Sequence, residues 1–173
     1  MKKGANKGLT LIEMIMVLGI SAILLAMAGL SYNLINNSNV QKSARRLENV
    51  IRLARTRSMA KGTASGRLVL YEQNGNIYAR IGDDTTPELI CNSGVTMEAI
   101  VTAADYTVRS GGSSIPAYST DPSAQISINF STAGTVQTFN NSYNKFLLHR
   151  GKRSFEVIVY KETGSVETNM YVN

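Results

Sequence analysis

Leu9 to Leu30 reads LTLIEMIMVLGISAILLAMAGL, 22 residues with a single charged side chain, Glu13. As an α-helix rising about 1.5 Å per residue it spans about 33 Å, enough to cross a bilayer core of roughly 30 Å. Most of its residues are strong helix formers, and no proline interrupts them. Such a stretch predicts a membrane-spanning helix. The main competitor is a cleaved secretory signal, whose apolar core is shorter, roughly 7–15 residues. An Ala-x-Ala pattern at Ala26–Ala28 leaves cleavage there open. Glu13 argues against it, because a signal peptide gains nothing from a buried acid.

Lys2, Lys3 and Lys7 directly precede the span and favour a cytoplasmic amino end. Lys42, Arg45 and Arg46 follow it, but the long carboxyl-terminal part can be exported whatever its charge. An acid at mid-span costs on the order of 2.5–3.5 kcal/mol, and less near an interface. Two readings of Glu13 stand side by side: a partner cation within the membrane, or a carboxylate at headgroup depth.

Gly8-Leu9-Thr10-Leu11-Ile12-Glu13, after a short basic leader and before an apolar run, resembles the class III signal of type IV pilins and pseudopilins. The resemblance implies that a prepilin peptidase cuts between Gly8 and Leu9 and that the new amino terminus, Leu9, is N-methylated. It implies that Glu13 neutralises the amino terminus of a neighbouring subunit. The partners it implies are the peptidase, other pilins or pseudopilins in a helical fibre, the inner-membrane assembly platform and the cytoplasmic membrane. Two departures matter: Leu9 stands where Phe is commoner, and Leu30 where major pilins usually carry a helix-bending proline. The second favours a minor pilin or pseudopilin.

Beyond the span, Asn33, Asn36, Asn37, Ser38 and Asn39 form a polar patch. Asn and Ser compete for backbone hydrogen bonds, so a kink or frayed turn is expected there. Val40, Ala44, Leu47, Ile51, Ala54 and Ser58 then recur in steps of four and three, marking one face of an amphipathic helix, with Val50 and Leu53 widening the stripe. Gly62 is the expected stop. Leu9 to Lys61 therefore reads as one long helix, interrupted near Asn36 if anywhere. Its other face carries Lys42, Arg45, Arg46, Arg52, Arg55, Arg57 and Lys61 against Glu48. That face reads as solvated or as meeting acidic neighbours in a fibre, with DNA or anionic lipid as the alternative.

From Gly66 the pattern turns to strands. RLVLYE (Arg67–Glu72) and NIYARI (Asn76–Ile81) flank Asn74-Gly75, a strong hairpin signal. Val95–Val101 and Tyr106–Arg109 are weaker strands, and Ser110–Pro122 is a loop rich in Gly, Ser and Pro. Gln125–Ser131, Thr135–Phe139, Lys145–His149, Ser154–Lys161 and Val166–Val172 complete the set. The predicted fold is α+β: a long N-terminal helix packed on an antiparallel two-sheet β domain. The expected segments are a leader (1–8), a transmembrane helix (9–30), its amphipathic continuation (31–62) and a β-rich domain (63–173). LENVIRLARTRSMAKG, ISINFSTAGTV and FEVIVYKETGSV resemble the helix, the later strand and turn, and the closing strands of the pseudopilin H (GspH/FimT-like) family. Residues 82–124 show no clear match.

No enzyme is expected: His149 stands alone beside Arg150, and no phosphate-binding, dinucleotide or zinc-protease motif occurs. No cofactor is expected. The single cysteine, Cys91, has no partner within the chain and reads as a structural thiol. Asp83, Asp84 and Glu88 read as a solvated acidic loop, although some related major pseudopilins bind calcium in a loop. No metal site is expected.

The turn His149-Arg150-Gly151-Lys152-Arg153 is basic. Some members of the resembled family bind DNA in uptake systems, so Arg150, Lys152 and Arg153 are the candidate DNA contacts, and a DNA-binding minor pilin of a natural-transformation system is the alternative function. The net charge of +6 adds little to it: without residues 1–8, 15 basic side chains face 12 acidic ones, a net of +3.

Overall fold

The computed structural model describes residues 10–102, 112–119, 124–139 and 143–171, with the side chains of 28–37, 138–139 and 171 outside that description. The expected leader, the strand at Tyr106–Arg109 and part of the Ser110–Pro122 loop fall outside the described residues. The chain forms two units, Met1–Asn36 and Asn37–Asn173.

Helix α1 runs Leu11–Lys61 without a break. The polar patch at 33–39 stays helical, in keeping with one long helix and without an interruption near Asn36. Gly62, with φ 93°, ends the helix as expected, since a residue without Cβ takes this conformation cheaply.

Among the described residues ten strands follow: β1 (Leu68–Gln73), β2 (Asn76–Ile81), β3 (Glu88–Cys91), β4 (Thr96–Ile100), β5 (Ser113–Ser114), β6 (Ile126–Phe130), β7 (Val136–Phe139), β8 (Lys145–Arg150), β9 (Arg153–Val159) and β10 (Val166–Tyr171). They form two antiparallel sheets, ordered β3-β2-β1-β6-β7 and β10-β9-β8-β4-β5. The fold is thus α+β, one N-terminal helix packed against two antiparallel sheets. The β1–β2 turn carries positive φ at both Asn74 (53°) and Gly75 (76°), the paired left-handed residues that a two-residue hairpin of this hand requires.

The core of the second unit lies between the helix from Val40 onward and the inner faces of both sheets. Val40, Ala44, Leu47, Val50, Ile51 and Ala54 are buried, and they meet Leu68, Leu70, Ile126, Ile128 and Phe130 from the first sheet. Met97, Ala99, Phe146, Leu148, Val157 and Val159 come from the second. Leu53 departs from the expected stripe and is 42% exposed. At about 100° per residue it sits roughly 140° from the Val40–Ser58 line, on the far side of the helix.

The last turns of the helix are fastened by polar contacts rather than by apolar area. Ser58 Oγ, fully buried, donates to the Phe130 carbonyl. Arg52 donates to the Val166 carbonyl (3.0 Å) while paired with Glu48 (2.8 Å), and Arg55 Nε donates to the Gly134 carbonyl (3.0 Å). Arg57 pairs with Asp84. Three cations of the basic face, Arg52, Arg55 and Arg57, therefore reach strand ends and loops of this unit, while Lys42, Arg45, Arg46 and Lys61 are exposed. Charge-assisted donors suit carbonyls left over where strands end.

Candidate functional site

The N-terminal unit holds the residues singled out from the sequence. The backbone N–H of Thr10 donates to Glu13 Oε2 (2.8 Å), and the Thr10 hydroxyl donates to the same oxygen (3.0 Å). In return the Glu13 N–H donates to Thr10 Oγ1 (3.3 Å). This is a capping box: the first residues of a helix have N–H groups with no partner inside the helix, and two side chains satisfy them reciprocally. Thr-x-x-Glu ahead of an apolar run is the sequence signal for this cap. Both contacts to the carboxylate fall on Oε2; among the described residues no group donates to Oε1.

After this cap the helix shows no inward face of its own. Leu11, Ile12, Met14, Ile15, Met16, Val17, Leu18, Ile20, Ile23, Leu24, Leu25 and Met27 are all more than half exposed. Consecutive residues point in every direction around a helix, so this segment is apolar all round, a pattern found in helices that something else must surround. Among the described residues, no helix is long and apolar enough to cross a membrane. Gly8 and Leu9 lie outside the described residues.

Residues 3–29 match the family model of the prokaryotic N-terminal methylation motif. The match spans Gly8, Leu9 and Glu13 and speaks for the amino-terminal segment, not for the β domain. It supports a type IV pilin-like precursor. That class implies processing by a prepilin peptidase, amino-terminal methylation and assembly with other pilins, and points to a structural role. No curated protein and no solved structure matches the chain.

The remaining candidates lie in the second unit and do not converge. Gly151, φ 62°, turns β8 into β9. Lys152 and Arg153 at this tip are exposed, but the Arg150 guanidinium lies over Gly94, where a Cβ would stand 3.1 Å from its Cζ. Arg150 thus packs against the turn at Gly94, and Lys152 and Arg153 are exposed cations of the tip. His149 sits in register with Thr96 and Ser154, strand neighbours without a catalytic partner. Asp84 is held by Arg57, and among the described residues no group of three His, Cys, Asp or Glu is placed to hold a metal ion. Cys91 is fully buried on β3. Burial pushes its thiol up to about 11, against smaller opposing effects from a Ser43 hydrogen bond and the Arg46 charge. Such a thiol is a packing group rather than a nucleophile.

Proposed function

We propose that this chain is a minor pilin or pseudopilin of the pseudopilin H type, a structural subunit that primes fibre assembly or sits near the fibre tip. Residues 9–30 cross the cytoplasmic membrane once, amino end inside, and the β domain is exported. The peptidase cuts between Gly8 and Leu9, and Leu9 is methylated. Subunits then leave the bilayer and bury their apolar segments against one another as the inner core of a helical fibre. An interface that repeats head to tail and does not close propagates in this way.

The observation that carries the reading is the all-round exposure of the apolar side chains from Leu11 to Met27, in a segment that matches the methylation motif. Twelve large apolar side chains exposed on one helix need lipid or copies of themselves around them. The capping box refines the role of Glu13. Its carboxylate enters the membrane with Oε2 already bonded to Thr10, which lowers the cost of carrying the acid there. Oε1 then accepts the amino group at Leu9 of a neighbour and sets the axial register. The attraction is strong because lipid and packed helices screen it little.

Replacing Glu13 by Ala tests this. The variant is expected to remain in the membrane fraction and to be lost, about tenfold, from sheared fibres and from co-purification with other pilins. Incorporation at the normal level would remove Glu13 from the mechanism.

A further inference from the structure

The outer face of the first sheet is not built like a solvent face. Leu68 and Leu70 point into the core, so Arg67, Val69 and Tyr71 occupy the opposite side of β1. Arg80 on β2 is in register with Val69, which places it on that same side, a diagonal step from Arg67. Side chains so related have Cβ atoms roughly 7–8 Å apart. A strap then crosses the end of β1: the Glu72 N–H donates to the Pro116 carbonyl and the Tyr118 N–H donates to the Glu72 carbonyl, both at 2.8 Å. The strap sets the Tyr118 ring edge-on to Tyr71, centroids 5.0 Å apart, and Tyr71 stacks on Tyr78 at 5.9 Å.

Between strap and strands lies a groove of about 570 Å³ lined by both arginines and by Tyr118. Amide side chains of Gln125, Asn129 and Gln137 complete its polar wall. Neither guanidinium is ion-paired among the described residues, and the buried Nε of each finds no acceptor. Asp83 on the rim is exposed, and no ion pair joins it to either arginine. Buried N–H groups without partners are rare and costly, and two like charges on one face repel. Both penalties are relieved by one shared acceptor of negative charge.

We propose that this groove binds an oxyanion, a phosphate or carboxylate group, between the forks of Arg67 and Arg80. The guanidinium plane matches such groups two bonds at a time, which an ammonium does not. The volume lies within the roughly 300–1,000 Å³ of small-molecule sites, so the anion belongs to a larger body that Tyr118 flanks. That body is a small phosphorylated or carboxylated molecule, or the acidic side chain of a neighbouring copy. On binding, each arginine turns its Nε–Nη edge from its buried position towards the ligand.

The test is nuclear magnetic resonance of the arginine Nε–H groups in the full-length, ¹⁵N-labelled protein in detergent micelles. Inorganic phosphate and glutarate are titrated separately at constant ionic strength, with chloride as the control. Arg67 and Arg80 are expected to shift together and to saturate with at least one probe, at a Kd of about 1 mM. Arg55, whose Nε is already bonded to Gly134, stays in place. Whichever probe binds more tightly names the anion. Shifts at these two positions that depend on protein concentration alone identify a neighbour's acid as the ligand.

Arg67→Lys and Arg80→Lys keep the charge and remove the fork; each is expected to weaken binding about tenfold. If one variant fails to fold by circular dichroism, the other carries the test. Chloride shifts equal to those of both probes, shifts that never saturate, or undiminished binding by the folded lysine variants would each overturn the proposal.

Discussion

The two units use the same kinds of residue for opposite ends. From Val40 onward, helix α1 turns its apolar residues inward onto two sheets and fastens its cations to the Val166 and Gly134 carbonyls and to Asp84. Between Leu11 and Met27 the apolar residues face every direction, and the one acid is occupied with the helix's own first turn. The difference is a matter of period. A stripe repeating every three or four residues can be buried by one neighbour, whereas an unbroken apolar run needs neighbours on all sides. The second unit therefore carries its own cover, and the first depends on an environment or on other copies.

Paired substitutions break or sharpen this contrast. Phe146→Ala empties a fully buried core position on β8 and is expected to lower the unfolding free energy of the β unit by about 3–5 kcal/mol. Leu18→Ala, an equally apolar truncation, leaves that transition within about 0.5 kcal/mol, because Leu18 is 68% exposed. Denaturant melts of the two variants measure the contrast directly. Equal losses would show that the units do not divide the work in this way.

Gly66→Ala comes next. A Cβ there would stand 2.4 Å from Ser58 Cβ and 2.5 Å from the Ala54 carbonyl oxygen, so the turn after the helix must back away. The expected cost is about 2–3 kcal/mol in the same melt. Gly19→Ala in the first unit meets nothing within 4 Å and is expected to be neutral or slightly stabilising to its helix.

The Cys91 thiol supplies a pH test. Its folded value, about 11, lies above its ordinary 9.0, so the unfolded chain loses this proton first as pH rises. Stability from this group is intact below pH 9 and falls between about 9 and 11, by about 3 kcal/mol in all. Tyr71, also raised chiefly by burial, adds a fall in the same direction at higher pH. Comparing melts of the parent and Cys91→Ala across this range isolates the thiol; parallel curves would contradict its burial. The smallest effect is at the β8–β9 tip: Lys152→Ala with Arg153→Ala is expected to change stability by less than about 0.5 kcal/mol. Duplex DNA binding by the parent protein should show a salt slope near zero, and a steep slope lost in this double variant would favour the DNA-uptake reading.

Much of this architecture was legible where one local rule spoke without competition. Asn74-Gly75 announced its hairpin, QISINFS its alternating strand, and Val40–Ser58 its buried line. The rest depends on contacts distant in sequence. Glu88–Cys91 forms a strand because β2 offers an edge to it, and its four residues, directly after Pro87, carry little signal alone. Leu53 is apolar but stands off the buried line, so angular position outweighs apolar character there. The anchoring of Arg52, Arg55 and Arg57 is invisible in a sequence, because nothing there shows which carbonyls or acids will lie beside the helix. At the amino-terminal site the failure was of another kind: Thr10 and Glu13 are three residues apart, and their mutual cap was readable. Arg67 and Arg80 carry only a strand pattern in the sequence, since their shared face exists only once β1 and β2 are in register.

The account rests on the amino-terminal segment being matured for assembly, and the intact mass of the protein from cells with an active prepilin peptidase tests that most directly. The expected species begins at Leu9, lacks residues 1–8 and carries one added methyl group on its amino terminus. A chain that still begins at Met1 or Lys2 in those cells would contradict it.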